Sequence, residues 1–189
     1  MISAILLAAG QSRRMNGVNK LIKITKGKPL IEHSIINILE SSVDELIIVT
    51  GYQNNILEKV IKKDKKIRVI YNSQFESGMA SSLKIGIKNL SKESKAFFVC
   101  LGDMPMINKK IYNELIKHAN DAEVVIPTFK NQQGNPILFS ITMKNQIMNI
   151  NGDIGAKEIL KKNNDKISNL PINDEAILMN YNTIENFDD

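Results

Sequence analysis

Residues 3–20 read SAILLAAGQSRRMNGVNK, and this stretch decides the fold class of the chain. It begins with an uninterrupted, mainly apolar run, Ser3 to Ala8, in which polar residues do not alternate with apolar ones. Short continuous runs of this kind are typical of strands that are buried on both faces of a parallel sheet. Small residues, Gly10 and a polar loop up to Lys20 follow directly. The segment therefore predicts a central strand that ends at the ligand-binding edge of an open α/β sheet.

Strand and helix patterns then alternate along the rest of the chain. Apolar runs predict strands, and apolar residues at helical spacing predict helices between them. The predicted strands are residues 3–8, 45–50, 67–72, 96–101, 123–127, 137–139 and 175–180. Helices are predicted from residue 29 and over 55–62, 78–90, 108–119 and 153–160. This order predicts one α/β domain over residues 1–189, a doubly wound, mostly parallel sheet with helices on both faces.

The composition excludes several classes of protein. Hydrophobic residues make up 43% and charged residues 24% of the chain, which excludes a disordered chain and a collagen-like repeat. The single cysteine, Cys100, excludes an internal disulfide and predicts a reducing, cytoplasmic setting. The apolar start at residues 2–9 is too short to cross a bilayer, so no membrane contact is expected. A net charge of +5 with 5% aromatic residues suits a small anionic substrate better than nucleic acid.

The loop after the first strand has the features of a phosphate-binding site. Gly10 has no side chain, so phosphate oxygens can approach the backbone N–H groups beside it. Arg13, Arg14 and Lys20 add three cations, and a guanidinium group can bind phosphate in a bidentate manner. Neither GxxxxGK[ST] nor GxGxxG occurs in the chain. The loop thus predicts phosphate binding of another kind, the alternative being a plain turn with surface cations.

A second chemical segment, LGDMP at residues 101–105, follows the fourth predicted strand. Its carboxylate, Asp103, is expected at the same sheet edge as the first loop, because parallel strands end together. A carboxylate at that place can hold Mg²⁺ that bridges phosphate oxygens. The alternative is that Asp103 caps a turn before Pro105. The coincidence of the two segments at one edge favours the metal site.

These motifs, LAAGxSxRM with a following lysine and LGDMP, resemble those of the small nucleotidyltransferases of molybdenum cofactor maturation. Three further segments resemble the same family: GMASSL at 78–83, QGNPILF at 133–139 and GDIGA at 152–156. Ala9 stands where the guanylyl branch usually has glycine, so the chain resembles the cytidylyl branch more. The resemblance covers essentially the whole chain. It implies a Rossmann-like nucleotidyltransferase domain that uses Mg²⁺ to transfer CMP from CTP to the phosphate of molybdopterin, releasing pyrophosphate.

The resemblance also implies roles for the residues at the sheet edge. Arg14 is expected to contact the β- and γ-phosphates, Lys20 to stabilise the α-phosphate, and Asp103 to hold the metal. Further nucleotide-binding residues are implied in the first loop, at the start of the helix at residue 78 and beside the aspartate; they are Leu7, Ala8, Ala9, Gly10, Ser12, Arg13, Ser81, Ser82 and Gly102. Helix capping without ligand contact is the alternative for the two serines.

The chain departs from the family's pattern at two positions. Asn182 stands where a second metal-side aspartate is usual; its amide oxygen can still ligate Mg²⁺, but with weaker affinity because it is neutral. The alternative for this end of the chain is a plain strand-to-helix cap. Asn135 stands where the family often has histidine. Asn135 and Asp153 are expected to contact the acceptor, with helix capping as the alternative for Asp153.

Three functions stay open on this reading of the sequence. The first is cytidylyl transfer to molybdopterin. The second is transfer from GTP to the same acceptor, or transfer to another small phosphorylated acceptor. The third is a catalytically silent module that binds nucleotide or cofactor, which Asn182 keeps open. The implied partners are CTP or GTP, a molybdopterin-type acceptor and, transiently, maturation proteins of molybdenum hydroxylases.

Overall fold

The structure of this protein is a computed structural model that describes residues 1–12, 18–149, 160 and 164–181. Its described strands are β1 (Ile2–Ala8), β2 (Ile24–Thr25), β3 (Lys28–Pro29), β4 (Glu45–Thr50), β5 (Ile67–Tyr71), β6 (Ala96–Leu101), β7 (Val124–Phe129), β8 (Gln132–Gln133), β9 (Ile137–Ser140) and β10 (Ile167–Pro171). The described α-helices are α1 (Leu30–Leu39), α2 (Asn54–Val60), α3 (Met79–Lys88), α4 (Lys109–Lys117) and α5 (Lys144–Met148). Short 3-10 helices cover Lys20–Ile22, Phe75–Ser77, Ile141–Met143, Asn164–Lys166 and Glu175–Leu178. None of these described helices is both long and apolar enough to cross a membrane.

Eight strands form one sheet in the order β10-β7-β9-β6-β1-β4-β5, with β8 attached to β7. Strand β1 lies between β4 and β6 and is parallel to both, and β5 is parallel to β4. Strand β9 runs antiparallel to β6 and β7, whereas β10 is parallel to β7. Strands β2 and β3 pair as a separate hairpin. The prediction of a mostly parallel α/β sheet is confirmed.

Helices cover both faces of the sheet because the central strands bury side chains on both sides. Ala4 and Leu6 of β1 pack into a cluster with α1, α2 and α4, whereas Ile5 packs into a second cluster with α3 and α5. Helix α3 packs tightly on the sheet at Gly86, where a β-carbon would overlap with Ile5 Cγ2. The doubly wound architecture, with helices on both faces, is therefore also confirmed.

Strands β1 and β6 bring the loop after β1 and the LGDMP segment at 101–105 to one edge of the sheet. Leu7 of β1 is paired with Leu101 of β6, and the Gly102 N–H donates to the Leu7 carbonyl oxygen at 3.1 Å. From β1 the chain passes to β4 on one side, and it later returns to β6 on the other side. A crevice opens where such connections diverge, beyond the carboxyl ends of the strands.

The predicted strand at residues 175–180 is wrong. Glu175–Leu178 form a 3-10 helix, because the Asp174 carboxylate accepts the backbone N–H of Ala176 and caps the turn. Ala176 and Ile177 are buried, so the apolar run reflects the packing of a turn into the core. The edge strand is β10 instead, and its half-buried sequence ISNLP lacks the apolar run by which the other strands are predicted. The predicted helix over 153–160 lies outside the described residues, apart from a helical, buried Leu160.

Cys100 lies inside β6 and is buried, as its position in an apolar run predicts. Burial raises the pKa of its thiol to about 12, although a hydrogen bond with Tyr112 opposes the shift. In the unfolded chain the thiol ionises near its ordinary pKa of 9.0. The folded state therefore binds this proton more tightly, and the resulting stability is complete below pH 9 and lost as the pH rises toward 12.

We expect the free energy of unfolding to fall above pH 9 partly through Cys100. The measurement is urea unfolding of the wild type and Cys100→Ala at pH 7, 8.5 and 10.5. Cys100→Ala should be less stable at pH 7, because it leaves a small cavity. The difference between the two proteins should then shrink at pH 10.5. A difference that stays constant across the three pH values would contradict this account.

Candidate functional site

A cavity of about 740 Å³ opens at the sheet edge where β1 and β6 end. Its walls come from the loop after β1, the 3-10 helix Lys20–Ile22, the 3-10 helix Phe75–Ser77, the start of α3 and the turn after β6. Asn180, near the end of the described chain, also lines it. The volume is in the range of small-molecule sites and is large enough for a nucleotide.

Lys20 and Asp103 meet inside this cavity although 83 residues separate them. The Lys20 Nζ atom lies 2.5 Å from Asp103 Oδ2, and the two side chains are 16% and 15% exposed. Lys20 starts the 3-10 helix that follows the first loop, and Asp103 follows β6. The structure thus places an ammonium group and a carboxylate side by side at the cavity, each partly shielded from water. Shielding of this degree strengthens their charge interactions with a ligand.

The first loop presents its backbone to the cavity. Gly10 is exposed, and a β-carbon there would meet nothing within 4 Å, so a ligand oxygen can approach the main chain. Ala8 and Ala9 are buried and line the cavity together with Leu7. Ser12 also lines the cavity, and its backbone is in the left-handed region at φ 50°. Arg13 and Arg14 lie outside the described residues.

The two serines at the start of α3, Ser81 and Ser82, lie differently with respect to the cavity. Ser82 is buried and lines the cavity, whereas Ser81 is not one of the lining residues. The Asn72 side-chain amide donates to Ser81 Oγ at 2.8 Å and to Ser82 Oγ at 2.9 Å. The Ser81 hydroxyl in turn donates to the carbonyl oxygens of Gly78 and Gln74. Ser82 is therefore placed for ligand contact, whereas Ser81 is hydrogen-bonded to the chain before α3. The N-cap residue of α3 is Gly78, so the helix-capping alternative does not describe either serine.

The end of the described chain is held against the turn that carries Asp103. The Tyr181 N–H donates to the Asp103 carbonyl oxygen at 2.8 Å, which brings Asn180 to the cavity wall. The Asn135 N–H donates to the Ile177 carbonyl oxygen at 2.9 Å, but Asn135 is not a lining residue. Asn182 and Asp153 lie outside the described residues.

Gly51 is not among the predicted site residues, yet it shapes the cavity wall from behind. A β-carbon on Gly51 would lie 2.6 Å from Phe75 Cβ and 2.8 Å from Ala9 Cβ, so only glycine fits between these two lining residues. Gly51 follows the buried strand β4 directly, just as the small residues and Gly10 follow β1. A glycine directly after a buried strand was the available signal. No comparable sequence signal indicates that Phe75 lines the cavity.

The donor set of the cavity fits a divalent metal that is shared with a ligand. Asp103 supplies one carboxylate, and Asn180, which has an amide side chain, is a further lining residue. Among the described residues there is no group of three His, Cys, Asp or Glu side chains that could hold a metal alone. Mg²⁺ is commonly held in this way, by one or two carboxylates together with substrate phosphates. The second carboxylate at the cavity, Glu76, accepts a hydrogen bond from Gln11 Nε2 at 3.1 Å.

In an open α/β sheet, a cavity beyond the carboxyl ends of the strands is the usual place for a bound ligand. The family described as "MobA-like NTP transferase domain" matches residues 4–167 of this chain. The chain therefore belongs to the MobA-like NTP transferase family.

Two relatives of this chain are named for transfer from different nucleotides. A "Probable molybdenum cofactor guanylyltransferase" of Methanosarcina acetivorans is 30% identical over 152 residues, covering 78% of this chain and 66% of that protein. The "Molybdenum cofactor cytidylyltransferase" of Escherichia coli is 30% identical over 139 residues, covering 74% of this chain and 70% of that protein. The chain thus spans about two thirds of the length of the curated relatives that it matches.

Solved structures share the fold at lower sequence identity. "A nucleotidyl transferase from Methanothermobacter thermautotroptrophicus (Mth528)" superposes with a TM-score of 0.86 at 21% identity, covering 99% of this chain and 94% of that one. Rv0371c of Mycobacterium tuberculosis, solved as a complex with manganese, superposes with a TM-score of 0.78 at 17% identity, covering 92% and 88% of the two chains. These likenesses establish the nucleotidyltransferase fold.

We expect Gly51→Ala to destabilise the protein, since its new methyl group must displace Phe75 or Ala9. Overpacking of this kind costs about 1–3 kcal/mol, which urea unfolding can measure. Gly10→Ala is the matched control, because a β-carbon at Gly10 enters open space. The control should change the free energy of unfolding by no more than about 0.5 kcal/mol. Equal stability of Gly51→Ala and the wild type would mean that this wall of the cavity is loosely packed.

Proposed function

We propose that this chain is a Mg²⁺-dependent nucleotidyltransferase domain, over residues 1–189, that transfers CMP from CTP to the phosphate of molybdopterin. The observation that carries the proposal is the meeting of Lys20 and Asp103 in the cavity beside the exposed backbone of Gly10. A cation, a metal-binding carboxylate and free main chain at one place are what a metal–triphosphate complex requires.

The reaction joins two polyanions without a strong base. A phosphate oxygen of the acceptor forms a bond to the α-phosphorus of CTP, and the bond from that phosphorus to the bridging oxygen breaks, releasing pyrophosphate. The attacking phosphate is already anionic at neutral pH. Catalysis therefore consists of orienting the two substrates and neutralising charge in the transition state. The described lining residues include no histidine or cysteine, which agrees with an electrostatic mechanism.

Lys20 and Asp103 of the cavity have the central parts in this mechanism, and residues from elsewhere in the chain have supporting ones. The Lys20 ammonium group exchanges its contact with Asp103 for the α-phosphate, where negative charge builds up during transfer. Asp103, with Asn182 in support, is the residue that would hold the metal; when bound, Mg²⁺ supplies charge neutralisation on the phosphates. Arg14 is proposed to contact the β- and γ-phosphates. Asn135 and Asp153 remain the proposed contacts to the acceptor.

The residue at position 9 favours CTP over GTP in this proposal. The chain has Ala9 where the guanylyl branch of the family that it resembles usually has glycine. Nucleotide binding is further assigned to the lining residues of the first loop, Ser82 and Gly102. A second candidate is guanylyl transfer, which the name of the Methanosarcina acetivorans relative favours.

The proposed substrates also bear on the cellular compartment of the protein. We infer a cytoplasmic setting, which nucleoside triphosphate chemistry and the single, buried Cys100 support. Its product would then pass to proteins that mature molybdenum hydroxylases, through transient contacts.

Pyrophosphate release separates these functions. The protein is incubated with molybdopterin and either MgCTP or MgGTP, and the rate is measured at several nucleotide concentrations. We expect kcat/KM for CTP to exceed that for GTP at least tenfold, which corresponds to about 1.4 kcal/mol. Release with GTP alone would establish the guanylyl alternative. Nucleotide binding without release in either reaction would identify a silent binding module and overturn the proposal.

The role of Asp103 is tested with Asp103→Asn, which keeps the shape of the side chain but removes its charge. Pyrophosphate release should fall at least about 100-fold, a typical loss when one electrostatic contact to the transition state is removed. Mg²⁺ should also no longer enhance the thermal shift produced by CTP. Asp174→Asn is the matched control, since Asp174 caps a 3-10 helix and does not line the cavity. Full turnover by Asp103→Asn would exclude this residue as the principal metal ligand.

A further inference from the structure

We propose that Asn19 is a positioning residue that fixes the orientation of Lys20 in the cavity. Its side chain does so by joining the turn that carries Lys20 to the loop after β4. The catalytic consequence of this inference rests on the proposed function, but its structural consequence does not. Asn19 is not among the lining residues of the cavity, so it acts through Lys20 rather than on a substrate.

The Asn19 side chain uses both ends of its amide, and the residue is fully buried. Its Oδ1 atom accepts the Leu21 N–H at 3.1 Å, which caps the 3-10 helix Lys20–Ile22. Its Nδ2 group donates to the Tyr52 carbonyl oxygen at 3.2 Å. A buried amide with only one of these contacts would leave a polar group unpaired, which is costly. The site therefore calls for a side chain with one donor and one acceptor.

These contacts join three loops of the sheet edge. The Tyr52 N–H donates to the Ala9 carbonyl oxygen at 3.3 Å, so a continuous chain of hydrogen bonds runs from Ala9 through Tyr52 and Asn19 to Leu21. Lys20 lies in the sequence between Asn19 and Leu21, which are both part of this series of hydrogen bonds. Its own N–H donates to Ser12 Oγ at 3.1 Å, which ties it to the start of the first loop as well.

Lys20 depends on this support for a physical reason. A 3-10 helix of three residues has few internal hydrogen bonds and does not hold its shape alone. A lysine side chain is also long and flexible, so the direction of its first carbon atoms decides what its ammonium group can reach. The 2.5 Å contact from Lys20 Nζ to Asp103 therefore requires a turn that is fixed from outside. Among the described contacts, Asn19 supplies that fixation from the β4 side and Ser12 from the β1 side.

The catalytic test compares Asn19→Ala and Asn19→Asp with Asn108→Ala. Asn108 is the matched control, since its Oδ1 caps α4 by accepting the Lys110 N–H at 3.0 Å, away from the cavity. We expect both Asn19 variants to lower kcat for pyrophosphate release 10- to 100-fold, with KM for the nucleotide changed less than threefold. Misplacement of a catalytic group by about 1 Å has effects of this size. The control variant should keep the wild-type kcat.

The aspartate variant separates positioning from simple helix capping. It keeps an acceptor for the Leu21 N–H but loses the donor to the Tyr52 carbonyl oxygen. A residue that acted only as a cap would be rescued by this change, as aspartate is a good capping residue. Wild-type kcat in Asn19→Asp, or an equal loss of kcat in Asn108→Ala, would overturn the proposal.

A second readout needs no turnover. The rate at which Lys20 reacts with trace acetic anhydride is followed by peptide mass spectrometry, with the exposed Lys28 as internal reference. Lys20 should be acetylated at least threefold faster in Asn19→Ala than in the wild type, and Lys28 at the same rate. Asn19→Asp gives the same comparison if the alanine variant does not fold. Unchanged labelling of Lys20 would overturn the inference, whereas a wild type without pyrophosphate release overturns only the proposed function.

Discussion

The ion pair between Lys20 and Asp103 is the constraint on which the site depends. Two residues 83 positions apart meet at 2.5 Å only because β1 and β6 are neighbouring parallel strands that end together. The pairing of Leu7 with Leu101, extended by the hydrogen bond from Gly102 to Leu7, fixes how far each segment projects beyond the sheet. The hydrophobic core thus determines the geometry of a charged site that lies outside it.

Irregular segments at this edge are held by individual polar contacts and by close backbone approaches. Asn72 braces the start of α3, Ser12 and Asn19 hold the turn of Lys20, and the Tyr181 N–H holds the turn of Asp103. Gly51 has no side chain and therefore lets Phe75 and Ala9 pack closely against its backbone, behind the cavity wall. Loops built on a rigid sheet can carry binding groups with little movement, provided that their backbone groups are satisfied.

Local sequence patterns predicted most of the fold and part of the site. The uninterrupted apolar runs at β1, β4 and β6 predicted central strands, because burial on both faces leaves a clear signal in the residues themselves. The same reasoning failed at 175–180, where an apolar run packs as a 3-10 helix capped by Asp174, and it missed the half-buried edge strand β10. The position of Gly10, Lys20 and Asp103 at one edge of the sheet could be predicted, because ligand-binding residues of open α/β sheets lie just beyond the carboxyl ends of the strands.

By itself, the sequence determined the alternation of strands and helices and the types of residue at the sheet edge, since both depend on neighbours along the chain. The tertiary structure alone decided that β9 inserts antiparallel between β6 and β7, that Gly51 is wedged between Ala9 and Phe75, and that buried Asn19 joins separate loops. These features depend on strand order and register, which bring together residues that no local pattern relates.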